Sequence, residues 1–154
     1  MSDQPAVPAL PVTFRPGRTR AVLLAGGAAI FVVITTVAML LEPFTTGERL
    51  SFVGMAAIFS GVLLLLSRPK VVAEETGVTV VNIASRRHLD WAEILQVNLR
   101  PGDPWVFLDL SDGTSLPALG IQPGIARQRA IEDARTLRAL AEARCAADPE
   151  RDHS

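Results

Sequence analysis

Two long apolar runs occupy the first half of the chain, and short alternating segments followed by one helical pattern occupy the second half. The first run, residues 21–41, contains 21 residues without a charged side chain, and the second, residues 50–67, contains 18. At about 1.5 Å per residue, a helix over the first run would extend about 31 Å, which matches the hydrocarbon core of a bilayer. We therefore predict two membrane-spanning helices, over 21–41 and 50–67.

The two predicted spans form a helical hairpin over residues 21–67, because only the short loop Glu42–Arg49 separates them. A signal peptide is the alternative for the first run, but its apolar region is normally about 7–15 residues long. Basic residues near span ends mark the cytoplasmic side. Five lie at the outer ends of the hairpin against one, Arg49, in its loop. The five are Arg15, Arg18, Arg20, Arg68 and Lys70. We expect a two-span plasma membrane protein with both termini in the cytoplasm.

Small residues also recur four positions apart within both runs, as Ala25 with Ala29 and Ala57 with Gly61. Such pairs let helix backbones approach closely in lipid. The general abundance of alanine and glycine explains the same spacing equally well. The pattern therefore leaves close packing of the two helices open.

The periodicity changes to two residues after Lys70. Leu95, Val97 and Leu99 alternate with polar residues, and the segment from Gly77 to Asn82 is short and β-branched. Alternation between turn signals is typical of half-buried strands. We predict six strands in an antiparallel meander. They cover residues 70–74, 77–83, 86–90, 93–100, 105–110 and 115–119.

A helix of about 22 residues follows the strands, and it completes an α+β domain over residues 70–147. Ala130, Ala134, Leu137 and Ala141 recur at helical spacing, so this face should cover the sheet. The prolines in residues 1–20 disfavour a helix there, and we predict a disordered tail. Residues 148–154 are predicted to form a second disordered tail.

Composition excludes several classes of function. The net charge is −1, and residues 71–154 carry nine basic against thirteen acidic side chains, so we expect no nucleic-acid partner. One cysteine excludes an internal disulfide and a multi-cysteine metal site. The chain shows no nucleotide, zinc or hydrolase motif. Asp109, Ser111 and Asp112 suggest a nucleophile or metal site, but turn chemistry explains Asp112-Gly113. We predict no enzyme activity, no catalytic residue, no cofactor and no metal.

Four short motifs carry a family resemblance: WAEI at 91–94, DPWV at 103–106, SDG at 111–113 and GIQ at 120–122. With the two spans before them, they resemble the bacterial PH-like domain of small actinobacterial membrane proteins, the low molecular weight protein antigen 6 family. The resemblance covers about 70–145. It implies a PH-like antiparallel β-barrel of about seven strands, capped by a C-terminal helix. This fold binds lipids, peptides and proteins alike, so it implies a binding role only by analogy.

The candidate binding surface consists of Arg86, Arg87, Trp91 and Trp105. The arginines either contact anionic lipid headgroups or are simply solvated at a strand end. The tryptophans either anchor a partner or belong to the core. We expect a membrane-anchored binding module that presents a docking surface to a protein partner at the cytoplasmic face of the bilayer. The alternative is a sensor of anionic lipid headgroups. The wider superfamily's inositide-binding members often carry basic residues around the first hairpin, where Glu74 and Glu75 would repel phosphate.

Overall fold

A computed structural model describes residues 7–147. Residues 1–6, the start of the first predicted tail, and residues 148–154, the whole of the second, lie outside the described residues. Within these described residues, three helices and seven strands follow one another. They are β1 (Val12–Phe14), α1 (Gly17–Leu40), α2 (Thr46–Leu66), β2 (Lys70–Glu74), β3 (Gly77–Val81), β4 (Arg86–Asp90), β5 (Ile94–Asn98), β6 (Val106–Leu110), β7 (Ser115–Ala118) and α3 (Arg127–Ala146). The chain divides into a helical unit, residues 17–68, and a sheet unit that combines residues before 17 and after 68.

The helical unit is an antiparallel pair in which each helix is long and apolar enough to cross a membrane. Helix α2 begins at Thr46, four residues before the uncharged run. The cause is a capping box, in which the Thr45 hydroxyl accepts from the Glu48 amide while the Glu48 carboxylate accepts from the Thr45 amide. Helix α1 likewise begins earlier than the apolar run, at Gly17.

Small residues line the seam between α1 and α2. Gly27, Ala38 and Ala56 are buried, and the Ser60 hydroxyl donates to the Gly27 carbonyl at 2.8 Å. The seam therefore uses small residues other than the pairs noted in the sequence, whose members Ala25, Ala29 and Ala57 are exposed and Gly61 half-buried. Large apolar side chains face outward instead, with Val33 59% exposed and Ile58 69% exposed. This distribution is the one expected of helices surrounded by lipid.

The sheet unit contains two antiparallel sheets of order β1-β2-β3-β4 and β5-β6-β7. All six predicted strands are present, at nearly the predicted positions. Strand β1 is additional. The proline content predicts a disordered tail over 1–20, but Val12–Phe14 pair with β2 from Val12↔Ala73 to Phe14↔Val71. The strand forms because Phe14 enters the core, where it is 4% exposed.

Within residues 7–147 the two sheets share no strand pairing, so they do not close into the predicted barrel. The chain leaves β4 through a short 3-10 turn, Trp91–Glu93, and starts the second sheet directly afterwards. A side chain bridges the sheets instead: Asn82 donates to the Pro117 carbonyl at 2.8 Å and accepts from the Leu119 amide at 3.1 Å. Nearby, a Cβ on Gly120 would lie 2.6 Å from the Lys70 carbonyl carbon, so only glycine permits this approach.

Helix α3 covers the core of the sheet unit with the face that the sequence predicts. Ala130, Ala134, Leu137 and Ala141 are buried there, together with Leu140. Leu137 and Leu140 are 0% and 1% exposed. The core that they complete includes buried side chains from all seven strands. The positions of the candidate binding residues are set by this core, because β4 and β6 each turn one face towards it.

Candidate binding surfaces

Arg86 and Arg87 lie on β4 but project to opposite faces of the strand, because successive side chains of a strand alternate. Arg87 shares its face with buried Leu89, and Arg86 shares the other face with exposed His88. The guanidinium of Arg87 lies 3.7 Å from the Asp112 carboxylate. The two arginines therefore do not form one basic patch.

Asp112 is held as an anion in the turn between β6 and β7. The Thr114 hydroxyl and the Thr114 amide both donate to its carboxylate, and these bonds lower the pKa of Asp112 below its ordinary value. Arg87 adds a smaller effect in the same direction. Both partners are about half exposed, so water screens the ion pair and it stabilises the fold only slightly.

Trp91 belongs to the core of the sheet unit. Its side chain is 7% exposed, and its indole nitrogen donates to the Glu74 carbonyl at 3.0 Å. The bond ties the turn after β4 to the end of β2. Trp91 is therefore a structural residue and offers little surface to a partner.

Trp105 is half-buried immediately before β6. Its ring lies 6.3 Å from that of Phe107, centroid to centroid, at an angle of 52°. The indole nitrogen is buried, and no atom of residues 7–147 accepts a hydrogen bond from it. Of the four predicted residues, Arg86 is exposed, Arg87 is ion-paired, Trp91 is buried and Trp105 is partly accessible.

Asp109, which suggested a nucleophile or metal site, has structural partners, and so does His88. The Asp109 carboxylate accepts from the Asn98 amide and from the Ser115 hydroxyl, which links β5, β6 and β7. The His88 ring lies 2.9 Å from the Thr79 hydroxyl, across the β3–β4 pair. Among residues 7–147, no group of three His, Cys, Asp or Glu side chains is placed to hold a metal ion.

A cleft between the β5–β6 loop and α3 was not predicted. It is lined by Arg100 from the loop and by Arg127, Arg135 and Arg138 from the helix. Helical spacing alone could have grouped the three arginines of α3, since positions 127, 131, 135 and 138 fall on one stripe of a helix. The loop that carries Arg100 could not be placed against the helix from spacing alone.

The sheet unit coincides with a match to a known family. Residues 68–140 match the family described as "Bacterial PH domain". Strand β1 and the helical unit up to residue 67 precede the matched segment. The match agrees with the resemblance to a bacterial PH-like domain that the sequence motifs indicate.

Curated relatives come from mycobacteria. The uncharacterized protein Rv1417 of Mycobacterium tuberculosis strain H37Rv is 28% identical over 97 residues, which are 63% of this chain. The uncharacterized protein Mb1452 of Mycobacterium bovis matches to the same extent. The alignment spans 62% of the length of each relative. No solved structure matches the chain significantly. Residues 68–140 are thus similar to a bacterial PH domain, and the chain is a distant relative of uncharacterized mycobacterial proteins.

Proposed function

We propose that the chain is a membrane-anchored binding module, without catalytic activity, that presents a docking surface to a protein partner at the cytoplasmic face of the plasma membrane. The narrower kinship with the low molecular weight protein antigen 6 family is part of this proposal. The observation that carries it is that β1, which precedes the helical hairpin in the sequence, pairs with β2, which follows the hairpin.

This pairing supports the anchoring part of the proposal. Strand β1 ends three residues before α1 begins, and β2 starts four residues after α2 ends. If α1 and α2 cross the bilayer, both of their outer ends must be on one side, because β1 and β2 are neighbours in a single sheet. The five-to-one count of basic residues favours the cytoplasm for that side.

Strand β5 supports the docking part of the proposal. It is an edge strand of its sheet, since the strand order is β5-β6-β7. Its Leu95 side chain is 69% exposed. An edge strand offers backbone donors and acceptors to an extended peptide, and an exposed apolar side chain adds a contact for a partner side chain. On β5 the Val97 carbonyl already accepts from Arg138, so the backbone around Leu95 is the part that remains for a peptide. Leu95 is therefore the centre of the docking surface that we propose, and Trp105 is a partly accessible aromatic residue of the same sheet unit.

The alternative function is sensing of anionic lipid headgroups through Arg86 and Arg87. The exposure of Arg86 favours it. The opposite orientation of the two side chains and the pairing of Arg87 with Asp112 weigh against it. The two functions differ in salt dependence, because attraction between exposed charges is screened at high ionic strength.

Photo-crosslinking in intact cells tests the docking proposal. A photoreactive residue replaces Gln96, the exposed neighbour of Leu95, in the full chain. We expect one discrete protein adduct, and we expect Leu95→Asp in the same chain to abolish it. A photoreactive residue at Ser111, exposed after β6, serves as the control and should not form this adduct. Adducts that persist in Leu95→Asp, or form equally from position 111, would contradict the proposal.

A further inference from the structure

A cleft of about 250 Å³ lies between the β5–β6 loop and α3. Arg100 lines it from the loop, and Arg127, Arg135 and Arg138 line it from the helix. One carboxylate, that of Asp103, is also present. The cleft therefore has a formal charge of +3, although residues 71–154 together carry −4.

The positive charge in the cleft is not neutralised by the described part of the chain. Within residues 7–147, none of the four arginines forms an ion pair. The Asp103 carboxylate accepts from the backbone amide of Arg100 at 2.9 Å and so serves the loop turn. Four of the nine basic residues after position 70 are gathered around a small volume without a matching set of acids.

Arg138 is already oriented for binding. Its Nε and Nη2 atoms both donate to the Val97 carbonyl, at 3.2 and 2.6 Å. A guanidinium has five N–H donors, so these two bonds fix its plane and leave three donors for a ligand. A side chain that is held in place before binding loses less conformational freedom when the ligand arrives.

The start of α3 adds to the positive potential. Arg127 is the first residue of this 20-residue helix, its first turn contains no acidic side chain, and Ala126 offers no side-chain cap. The amide groups at a helix start carry partial positive charge, so a cation there is unfavourable unless an anion is present. A bound anion would reduce the electrostatic repulsion at the start of α3 and among the four arginines.

We propose that this cleft binds a phosphate group. Planar guanidinium groups match phosphate oxygens with paired hydrogen bonds, and a charge of +3 exceeds what a single carboxylate needs. The volume is below the roughly 300–1,000 Å³ typical of pockets for drug-sized ligands, so it suits one or two phosphate groups. The phosphate comes from a soluble phosphorylated molecule or from a lipid headgroup. The site does not depend on the protein docking proposed at Leu95.

Calorimetric titration of the full chain in phosphatidylcholine nanodiscs with inorganic pyrophosphate tests the site. We expect saturable binding at physiological ionic strength. Arg127→Gln with Arg135→Gln should raise the Kd at least about tenfold, which corresponds to about 1.4 kcal/mol. Both side chains are exposed, so the fold should persist, and circular dichroism checks this. Arg129→Gln with Arg144→Gln removes the same charge from the same helix outside the cleft, and it should change the Kd less than about twofold.

A second arm identifies the source of the phosphate. Nanodiscs that contain phosphatidic acid, a phosphate monoester, are compared with discs of equal charge that contain phosphatidylglycerol, a diester. Weaker pyrophosphate binding only in the phosphatidic acid discs, and only with the four arginines intact, would assign a lipid headgroup. Equal binding in both would assign a soluble ligand. The proposal is overturned if the wild-type chain shows no saturable binding, or if the two double variants weaken binding equally.

Discussion

Phe14 and Val71 are directly paired across β1 and β2, although they stand 57 positions apart in the sequence. Everything between them except short connections belongs to the helical hairpin. The sheet unit is therefore made from two pieces of chain, and the hairpin is an insertion between two neighbouring strands. The segment similar to a bacterial PH domain starts at residue 68, so it leaves out the first strand of this sheet.

Phe14→Ala tests whether β1 is an integral part of the sheet unit. The side chain is 4% exposed in the core, so the variant should lose about 3–5 kcal/mol of unfolding free energy. Chemical unfolding of the full chain in detergent, followed by tryptophan fluorescence, measures the loss. Thr13→Ala changes an exposed position of the same strand and should stay within about 0.5 kcal/mol of wild type. Equal unfolding free energies of the two variants would show that β1 is not an integral part of the folded sheet unit.

Leu137→Ala tests the packing of α3 on the sheets. Leu137 is fully buried, and truncation should cost about 2–5 kcal/mol because it leaves a cavity. A domain of this size has only about 5–15 kcal/mol to lose, so the melting temperature should fall clearly. Leu95→Ala makes the same chemical change at a 69% exposed site and should have little effect. Similar losses in both variants would mean that α3 does not cover the core in this way.

Val33→Asp tests whether α1 spans the membrane. Val33 lies near the middle of the uncharged run 21–41 and is 59% exposed, so an aspartate there would face lipid. A charged residue at the centre of a span costs about 2.5–3.5 kcal/mol of insertion free energy. We expect lower abundance in the membrane fraction, whereas Val33→Leu should behave as wild type. Full membrane abundance of the aspartate variant would show that insertion does not depend on α1.

Cys145 tests the topology, because it is the chain's single cysteine and it is exposed near the end of α3. A maleimide that cannot cross membranes should leave it unlabelled in intact cells and label it after lysis. Glu42→Cys combined with Cys145→Ser moves the thiol into the loop between α1 and α2, where labelling of intact cells is expected. Labelling of Cys145 in intact cells would show that the orientation is opposite to the proposed one.

Asp133 gives a pH-dependent prediction. Burial raises the pKa of this half-buried carboxyl above its ordinary value, because its charged form loses solvation. The stability that its protonated form contributes is therefore lost as the pH rises through the folded-state pKa. Asp133→Asn should melt at a higher temperature than wild type at neutral pH, and the difference should shrink as the pH falls towards the ordinary carboxyl value of about 4. Glu142→Gln, exposed on the same helix, corrects for the change in net charge.

Much of the fold follows from local patterns. Alternation placed β2 to β7, and helical spacing placed the buried face of α3, because each depends on residues close together in sequence. Strand β1 was missed because three residues after a proline-rich stretch have no local signal, and the strand forms only through its distant partner β2. The prediction of a closed barrel was wrong. The junction between the two sheets depends on the Asn82 side chain and on the close approach of the backbone at Gly120.

The same contrast between local sequence patterns and contacts of distant residues applies to the binding sites. Arg86 and Arg87 are adjacent in sequence and suggested one patch, but strand geometry separates them. The four arginines of the cleft are spread over residues 100–138 and come together only when the β5–β6 loop folds against α3. Charge clusters along the chain are therefore a poor guide to charge clusters on the surface of this sheet unit.

The insertion of the hairpin between β1 and β2 also sets the order of events during synthesis. At about 5–20 residues per second, the ribosome makes Val71 roughly 3–11 s after Phe14. Strand β1 must wait through the synthesis of both apolar helices before its partner exists. If the helices cross the bilayer, a chain that has threaded only one of them holds its two strands on opposite sides of the membrane and cannot pair them. Completion of this sheet in a membrane-inserted chain therefore requires that both helices have crossed the bilayer.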